Sequence, residues 1–127
     1  MNTFAAMNSG NNSILSEHTK LQWYKIIFSL KKIFGKKPDM NAIIFLIGIR
    51  ELGVTREFSK EEKTDLMHIA TCKLLSYEGY YKFDNLDEDG WPHYTLINKP
   101  PYADLSEQEN ILKKLIVQYF EESGLID

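Results

Sequence analysis

The segment from Met40 to Leu52 constrains the fold more than any other part of this chain. Its sequence, MNAIIFLIGIREL, is apolar on nearly every side of a helical projection. Because a helix without a polar face is stable only where other elements cover most of its surface, the segment predicts a buried central helix. Asp39 directly before it is a good N-cap, and Gly53 directly after it is a good terminator.

Two further helices flank this central segment. The first is predicted from Glu17 to Phe34, with Ser16 as its N-cap. The third begins at a capping box, in which Ser59 is the cap and Glu62 lies three residues on, and should run to about Glu78. The expected inward-facing residues of the first helix are Trp23, Ile26, Ile27, Leu30, Ile33 and Phe34. Those of the third are Leu66, Met67, Ala70, Leu74 and Tyr77.

A change of period after Gly79 predicts a β-hairpin. Residues 80–83 and 94–97 are rich in aromatic and β-branched side chains, and the turn-forming sequence DNLDEDG lies between them. A fourth helix follows, with a second capping box predicted at Ser106 and Glu109 and a C-cap at Gly124. The fold class is therefore mostly α (α+β), in the order α-α-α-β-β-α, with the hairpin between helices 3 and 4. We expect residues 17–127 to form a single helical domain after a flexible N-terminal tail, residues 1–16.

This order of elements resembles a winged-helix domain. The stretch Leu74–Tyr81 and the stretch Asp89–Ile97 are similar to the end of the recognition helix and the wing of PadR- or MarR-like regulators. The resemblance covers about residues 40–122. It implies a nucleic-acid-binding fold in which the closing helix forms a dimer.

The charge of the chain is divided unevenly. The total is −3, yet residues 1–37 carry six lysines and one acid, whereas residues 38–127 carry nine basic residues and 17 acids. A DNA-binding wing and recognition helix should be basic, but the hairpin loop has Asp84, Asp87, Glu88 and Asp89. The acidic hairpin therefore disfavours nucleic acid as the partner of this part of the chain.

The sequence also indicates the cellular compartment. Cys72 is the single cysteine, so an internal disulfide is excluded and a reducing compartment is favoured. The N-terminus lacks the pattern of a signal peptide, and the longest apolar run, residues 42–49, is too short to cross a membrane. We therefore expect a cytoplasmic protein with no membrane span.

The third helix carries the first group of candidate functional residues. Glu61, Asp65, His68 and Cys72 recur at helical spacing, and they are expected on an arc opposite the apolar stripe. Asp65, His68 and Cys72 are types that bind a divalent metal, and Cys72 with His68 as a base would be a reactive thiol. The alternative interpretation is a surface pair beside a buried, inert cysteine.

Two further groups indicate interaction surfaces. In the first helix, Leu21, Tyr24 and Phe28 lie on the outer arc, where the lysines are, and leaving them in water as a group is unfavourable. Around the hairpin, Trp91, His93 and Tyr94 are typical of a loop that anchors an interface, unless Trp91 folds back onto the core. The basic residues with interleaved aromatics suit nucleic acid as an alternative. Those residues are Lys25, Lys31, Lys32, Lys36 and Lys37.

The sequence contains no Gly-rich phosphate loop, no paired His-Glu zinc motif and no Gly-x-Ser-x-Gly elbow. No cofactor is therefore predicted, and an enzyme is disfavoured. The leading hypothesis is a non-enzymatic protein-interaction domain that forms a homodimer or joins a larger assembly. A winged-helix-like nucleic-acid binder and a metal or thiol site on the third helix remain as alternatives.

Overall fold

A computed structural model describes residues 15–101 and 104–127 of the chain. The predicted flexible tail, residues 1–16, lies almost wholly outside these residues. Within the described ranges, four helices and a two-stranded antiparallel hairpin follow in the predicted order. The elements are α1 (Glu17–Phe34), α2 (Met40–Leu52), α3 (Lys60–Ser76), β1 (Tyr81–Leu86), β2 (Pro92–Leu96) and α4 (Leu105–Glu122).

The chain divides into two compact units. Unit 1 consists of the residues up to Lys37 and those from Pro101 onward, and it contains α1 and α4. Unit 2, Pro38–Pro100, contains α2, α3 and the hairpin. The single domain expected over residues 17–127 stays a prediction. Among the helices of the described residues, none combines the length and apolar content that a membrane crossing requires.

In unit 1, the start of α1 follows from its predicted cap. The Ser16 side chain accepts a hydrogen bond from the backbone N–H of Thr19, and Gly35 ends the helix at φ 76°. Helix α4 starts differently from the prediction: Asp104, not Ser106, is its N-cap, and the Asp104 carboxylate accepts from the N–H of Glu107. The prediction of a capping box at Ser106 was wrong because two good capping residues lie two positions apart, and the backbone at Asp104 is extended where the helix begins.

The end of α4 also differs from the prediction. Ser123 is the C-cap, and Gly124 follows it at φ 71°. On α1, Ile26 and Leu30 are buried as expected, but Ile33 is 74% exposed and Phe34 is 42% exposed. The prediction that these last two complete the buried face was therefore wrong. An apolar arc in the sequence indicates which face of a helix is buried, but not over what length of the helix other elements pack on that face.

In unit 2, α2 packs closely against α3. A Cβ at Gly48 would lie 2.3 Å from the carbonyl oxygen of Leu66, so only glycine allows this approach of the two helices. Ile43, Ile44 and Ile47 are buried, whereas Phe45 is half-buried. The predicted caps of both helices are confirmed. Asp39 accepts from the N–H of Ala42, and both hydrogen bonds of the Ser59 capping box are present.

The hairpin is longer than predicted and contains a bulge. Strand β1 pairs with β2 in register from Tyr81 opposite Leu96, and the register shifts between Phe83 and Asn85. The extra residue, Asp84, accepts a hydrogen bond from the hydroxyl of Thr95. Strand β1 continues into the segment predicted as loop. Pro92 opens β2, where a missing N–H is tolerated.

Candidate functional site

Two groups of residues predicted separately come together in unit 2. A cavity of about 460 Å³ lies between α3 and the hairpin; we call it the hairpin cleft. Asp65, His68 and Cys72 line it from α3, and Trp91, His93 and Tyr94 line it from the hairpin. The structure therefore joins the predicted metal or thiol residues to half of the predicted interaction residues.

Asp87 holds the hairpin loop in shape. One of its carboxylate oxygens accepts from the backbone N–H of Asp89 at 2.9 Å and of Trp91 at 3.0 Å, and the other lies 2.9 Å from His93 Nε2. These contacts lower the pKa of Asp87, the His93 hydrogen bond most of all. The role of Asp87 in the loop is therefore structural.

A second carboxylate that lines the cleft is also paired. Glu62 forms a two-point contact with Arg56, with the closer nitrogen–oxygen distance at 2.8 Å, while it also closes the capping box at Ser59. These contacts, led by the Arg56 hydrogen bond, lower the pKa of Glu62 to about 2. The Glu62 carboxylate therefore has a structural role, in capping α3 and in the ion pair with Arg56.

Cys72 does not lie on a polar arc of α3, so that prediction was wrong. Its residue is 1% exposed, and its sulfur lies 3.5 Å from His68 Nε2. The buried face of α3 is wider than the predicted stripe, because Ile69 and Leu75 are buried as well as Leu66. Burial raises the pKa of the Cys72 thiol to about 11, which keeps the thiol protonated at neutral pH and unreactive.

The cleft does not assemble a metal site from the described side chains. Within residues 15–101 and 104–127, no group of three or more His, Cys, Asp and Glu side chains is arranged to hold a metal ion. His68 instead meets Tyr81 edge to face, with ring centroids 6.4 Å apart. The predicted metal ligands, Asp65, His68 and Cys72, therefore line the same cleft but are not arranged to hold a metal ion.

The aromatic residues of the hairpin are partly built into unit 2. Tyr94 is half-buried and packs edge to face on Phe83 at a centroid distance of 5.7 Å. Burial is the main cause that raises the pKa of Tyr94 to about 12. Trp91 is half-buried and Pro92 is buried. These side chains therefore contribute to packing.

The other predicted interaction residues line a larger cavity in unit 1. This cavity, of about 820 Å³, lies along the outer side of α1; we call it the α1 groove. Leu21, Tyr24 and Phe28 line it and are 63%, 68% and 62% exposed. We call these three residues the apolar stripe. They lie on the side of α1 opposite Ile26 and Leu30, so α1 is apolar on two faces.

Lysines surround the apolar stripe. Lys25, Lys31 and Lys37 line the α1 groove, and all three are exposed. The ammonium group of Lys32 lies 4.5 Å from the centroid of the Phe28 ring, a cation–π contact. Lys36, the remaining residue of the predicted basic set, is exposed just beyond the helix. The α1 groove is therefore apolar along its floor and basic at its sides.

One end of the α1 groove is formed by residues that the sequence analysis missed. The Gln22 side chain is buried and donates to the Glu121 carboxylate and to the backbone oxygen of Asp127, both at 2.8 Å. The same carboxylate lies 2.8 Å from His18 Nε2. Its pKa is lowered, chiefly by the Gln22 hydrogen bond. Gln22 is a polar residue on the otherwise apolar buried face of α1, and such a residue indicates a hydrogen-bonded partner. The partners lie 99 and 105 residues away in the chain, so the sequence did not identify them.

Comparison with known proteins gives no indication of function. No protein-family model, no curated protein and no solved structure matches this chain.

Proposed function

We propose that this chain is a non-enzymatic protein-interaction domain, which forms a homodimer or joins a larger cytoplasmic assembly through the α1 groove. The observation that carries the proposal is the apolar stripe: Leu21, Tyr24 and Phe28 are each more than 60% exposed along one face of a helix whose opposite face is already buried. Single exposed apolar side chains are common on protein surfaces, but a contiguous set marks a binding surface.

Burial of the apolar stripe would make a substantial contribution to the free energy of association. Fully burying one Leu or Phe side chain is worth about 1.5–3 kcal/mol. Removing the exposed part of three such residues from water therefore supplies several kcal/mol toward the roughly 4–15 kcal/mol that association costs, and the rest of the interface supplies the remainder. The two aromatic residues of the apolar stripe are of a type enriched in interface cores.

Photo-crosslinking in cells tests this proposal directly. A photoreactive phenylalanine analogue replaces Phe28, and the same analogue replaces Ser29, which is exposed on α1 but lies away from the apolar stripe. We expect a crosslink at position 28, to a second copy of this chain or to another protein identified by mass spectrometry, and none at position 29. Light scattering of the purified chain distinguishes the homodimer from the monomer. Absence of a protein crosslink at position 28, or equal crosslinking at both positions, contradicts the proposal.

A nucleic-acid binder is the second candidate, because Lys25, Lys31 and Lys37 line the same groove as Tyr24 and Phe28. Stacking aromatics beside lysines are typical of single-strand binding sites. The acids of the hairpin loop, among them Asp87 and Asp89, oppose the use of the hairpin as a DNA-binding wing. The test is binding to generic single-stranded and duplex DNA at low salt; its absence at about 50 mM salt excludes this candidate.

A further inference from the structure

We infer that the partner of the α1 groove is an amphipathic helix with acidic flanks, donated by another protein. This inference rests on the proposed interaction function and specifies its partner. The geometry of the apolar stripe and the charges on either side of it both favour such a partner.

The geometry of the apolar stripe matches one helix laid along another. Leu21, Tyr24 and Phe28 are spaced i, i+3 and i+7, so they extend over about 10 Å of the helix axis at ~1.5 Å per residue. This is the spacing by which an amphipathic helix presents anchors to a groove. A second helix with apolar residues at the same spacing would therefore bury the whole stripe.

The lysines beside the apolar stripe determine which charge the flanks of that partner should carry. At ~100° per residue, Lys25 and Lys32 lie on one flank of the apolar stripe. Lys31 lies on the other flank. Within the described residues, no ion pair shorter than 4.0 Å involves Lys25, Lys31 or Lys32, whereas the nearby Lys20 is 3.7 Å from Glu17. Lys25 interacts with the Glu121 carboxylate only at longer range, as a minor cause of the lowered pKa of that group. A helix flanked by Glu or Asp would pair with both sides, as charged flanks do in coiled coils.

The same charges disfavour a second copy as the occupant of this groove. In a two-fold symmetric pairing of α1 with α1 of another copy, each surface meets itself. Lys25, Lys31 and Lys32 would then face a second set of lysines, and like charges across an interface are unfavourable. A homodimer through another surface is compatible with this inference.

Peptide binding to the full chain tests the inference. One synthetic helix carries leucines at i, i+3 and i+7 with glutamates on both flanks, and the matched peptide carries lysines in place of those glutamates. We expect the glutamate peptide to bind at least ~10-fold more tightly, in a fluorescence anisotropy assay at about 50 mM salt, and the preference to shrink at about 500 mM salt because screening weakens exposed charge pairs. Failure of the glutamate peptide to bind, or equal binding of the two peptides, overturns the inference.

Charge reversal locates the effect on the chain. The double variant Lys25→Glu/Lys31→Glu should lose or invert the preference. The control Lys63→Glu/Lys82→Glu changes two exposed lysines of unit 2 and the net charge by the same amount, and it should keep the preference. Both double variants carry their changes at exposed positions, so they should remain folded, which circular dichroism checks. A preference that survives in the first variant, or disappears in the control, overturns the inference.

Two further probes separate other classes of partner. Duplex DNA, or vesicles that contain anionic phosphatidylglycerol, would overturn the inference if either bound more tightly than the glutamate peptide and lost binding in Lys25→Glu/Lys31→Glu. If the photo-crosslink at position 28 captures a protein while the peptides show no preference, the acidic-helix inference fails and the interaction function stands. If that crosslink is absent, the interaction function itself fails.

Discussion

The two cavities contain similar residue types, aromatic and charged, but they differ in how those residues are partnered. In the hairpin cleft of unit 2, Glu62 pairs with Arg56, Asp87 pairs with His93, and Tyr94 packs on Phe83. In the α1 groove of unit 1, the apolar stripe and Lys31 face solvent. The residues of the hairpin cleft contact partners within unit 2 and so stabilise its fold. The residues of the apolar stripe are exposed as a group and so are available for binding.

The largest expected effect is on the free energy of unfolding. Removal of one apolar side chain should lower it strongly in the core of unit 2 and hardly at all in the apolar stripe. Leu66 of unit 2 is fully buried, so Leu66→Ala should lower the free energy of unfolding by about 3 kcal/mol through lost burial and a residual cavity. Phe28→Ala, in the apolar stripe, should change it by no more than about 0.5 kcal/mol. Urea denaturation measures both values. A large loss in Phe28→Ala would show that the apolar stripe is part of the fold, which would remove the contrast.

The next largest effect should come from the close approach of α2 and α3. Gly48→Ala should lower the free energy of unfolding by about 2 kcal/mol, because its Cβ would overlap the backbone of Leu66, and this cost exceeds the helix propensity gained. Asn41→Ala, at an exposed position of the same helix, is the matched control. Thermal unfolding followed by circular dichroism provides the comparison. A Gly48→Ala variant as stable as the control would mean that the two helices separate easily.

A smaller effect tests the hydrogen-bonded end of the α1 groove, at Gln22. Gln22→Ala removes both hydrogen bonds to the Glu121 carboxylate and the Asp127 carbonyl, and it should cost about 1 kcal/mol of unfolding free energy. Gln118→Ala removes an exposed side-chain hydrogen bond to Glu122 and should cost less. Denaturant melts of the two variants give the comparison. Equal losses would show that the Gln22 hydrogen bonds are no more stabilising than surface contacts.

The smallest expected effect concerns Asp87, since its hydrogen bonds lie near solvent. Its pKa is lowered from 3.8 in the folded chain. The stability that it contributes is therefore fully present above that value and is lost as the pH falls through the lower, folded value. Asp87→Asn should remove this loss of stability below about pH 3.8, because an amide does not titrate. Asp89→Asn, a change of a loop acid at an exposed position, is the matched control, and identical profiles for the two variants would contradict the role of Asp87.

Much of the local structure could be predicted from sequence because it depends on residues close together in the chain. The caps at Ser16, Asp39 and Ser59 each use a side chain and a backbone N–H three residues on, and all three predictions are confirmed. Where two such signals compete within three residues, as at Asp104 and Ser106, local chemistry alone did not decide the helix start.

By itself, the sequence determined the order of elements, most helix boundaries and the exposed outer arc of α1. Only the tertiary structure decided that Cys72 turns into the core of unit 2, that Gly48 allows α3 to approach, and that Gln22 binds a carboxylate 99 residues away. The physical reason is the range of the interactions involved. Helix periodicity and capping are fixed within a few residues, whereas the covered face of a helix depends on distant segments whose packing no local pattern specifies.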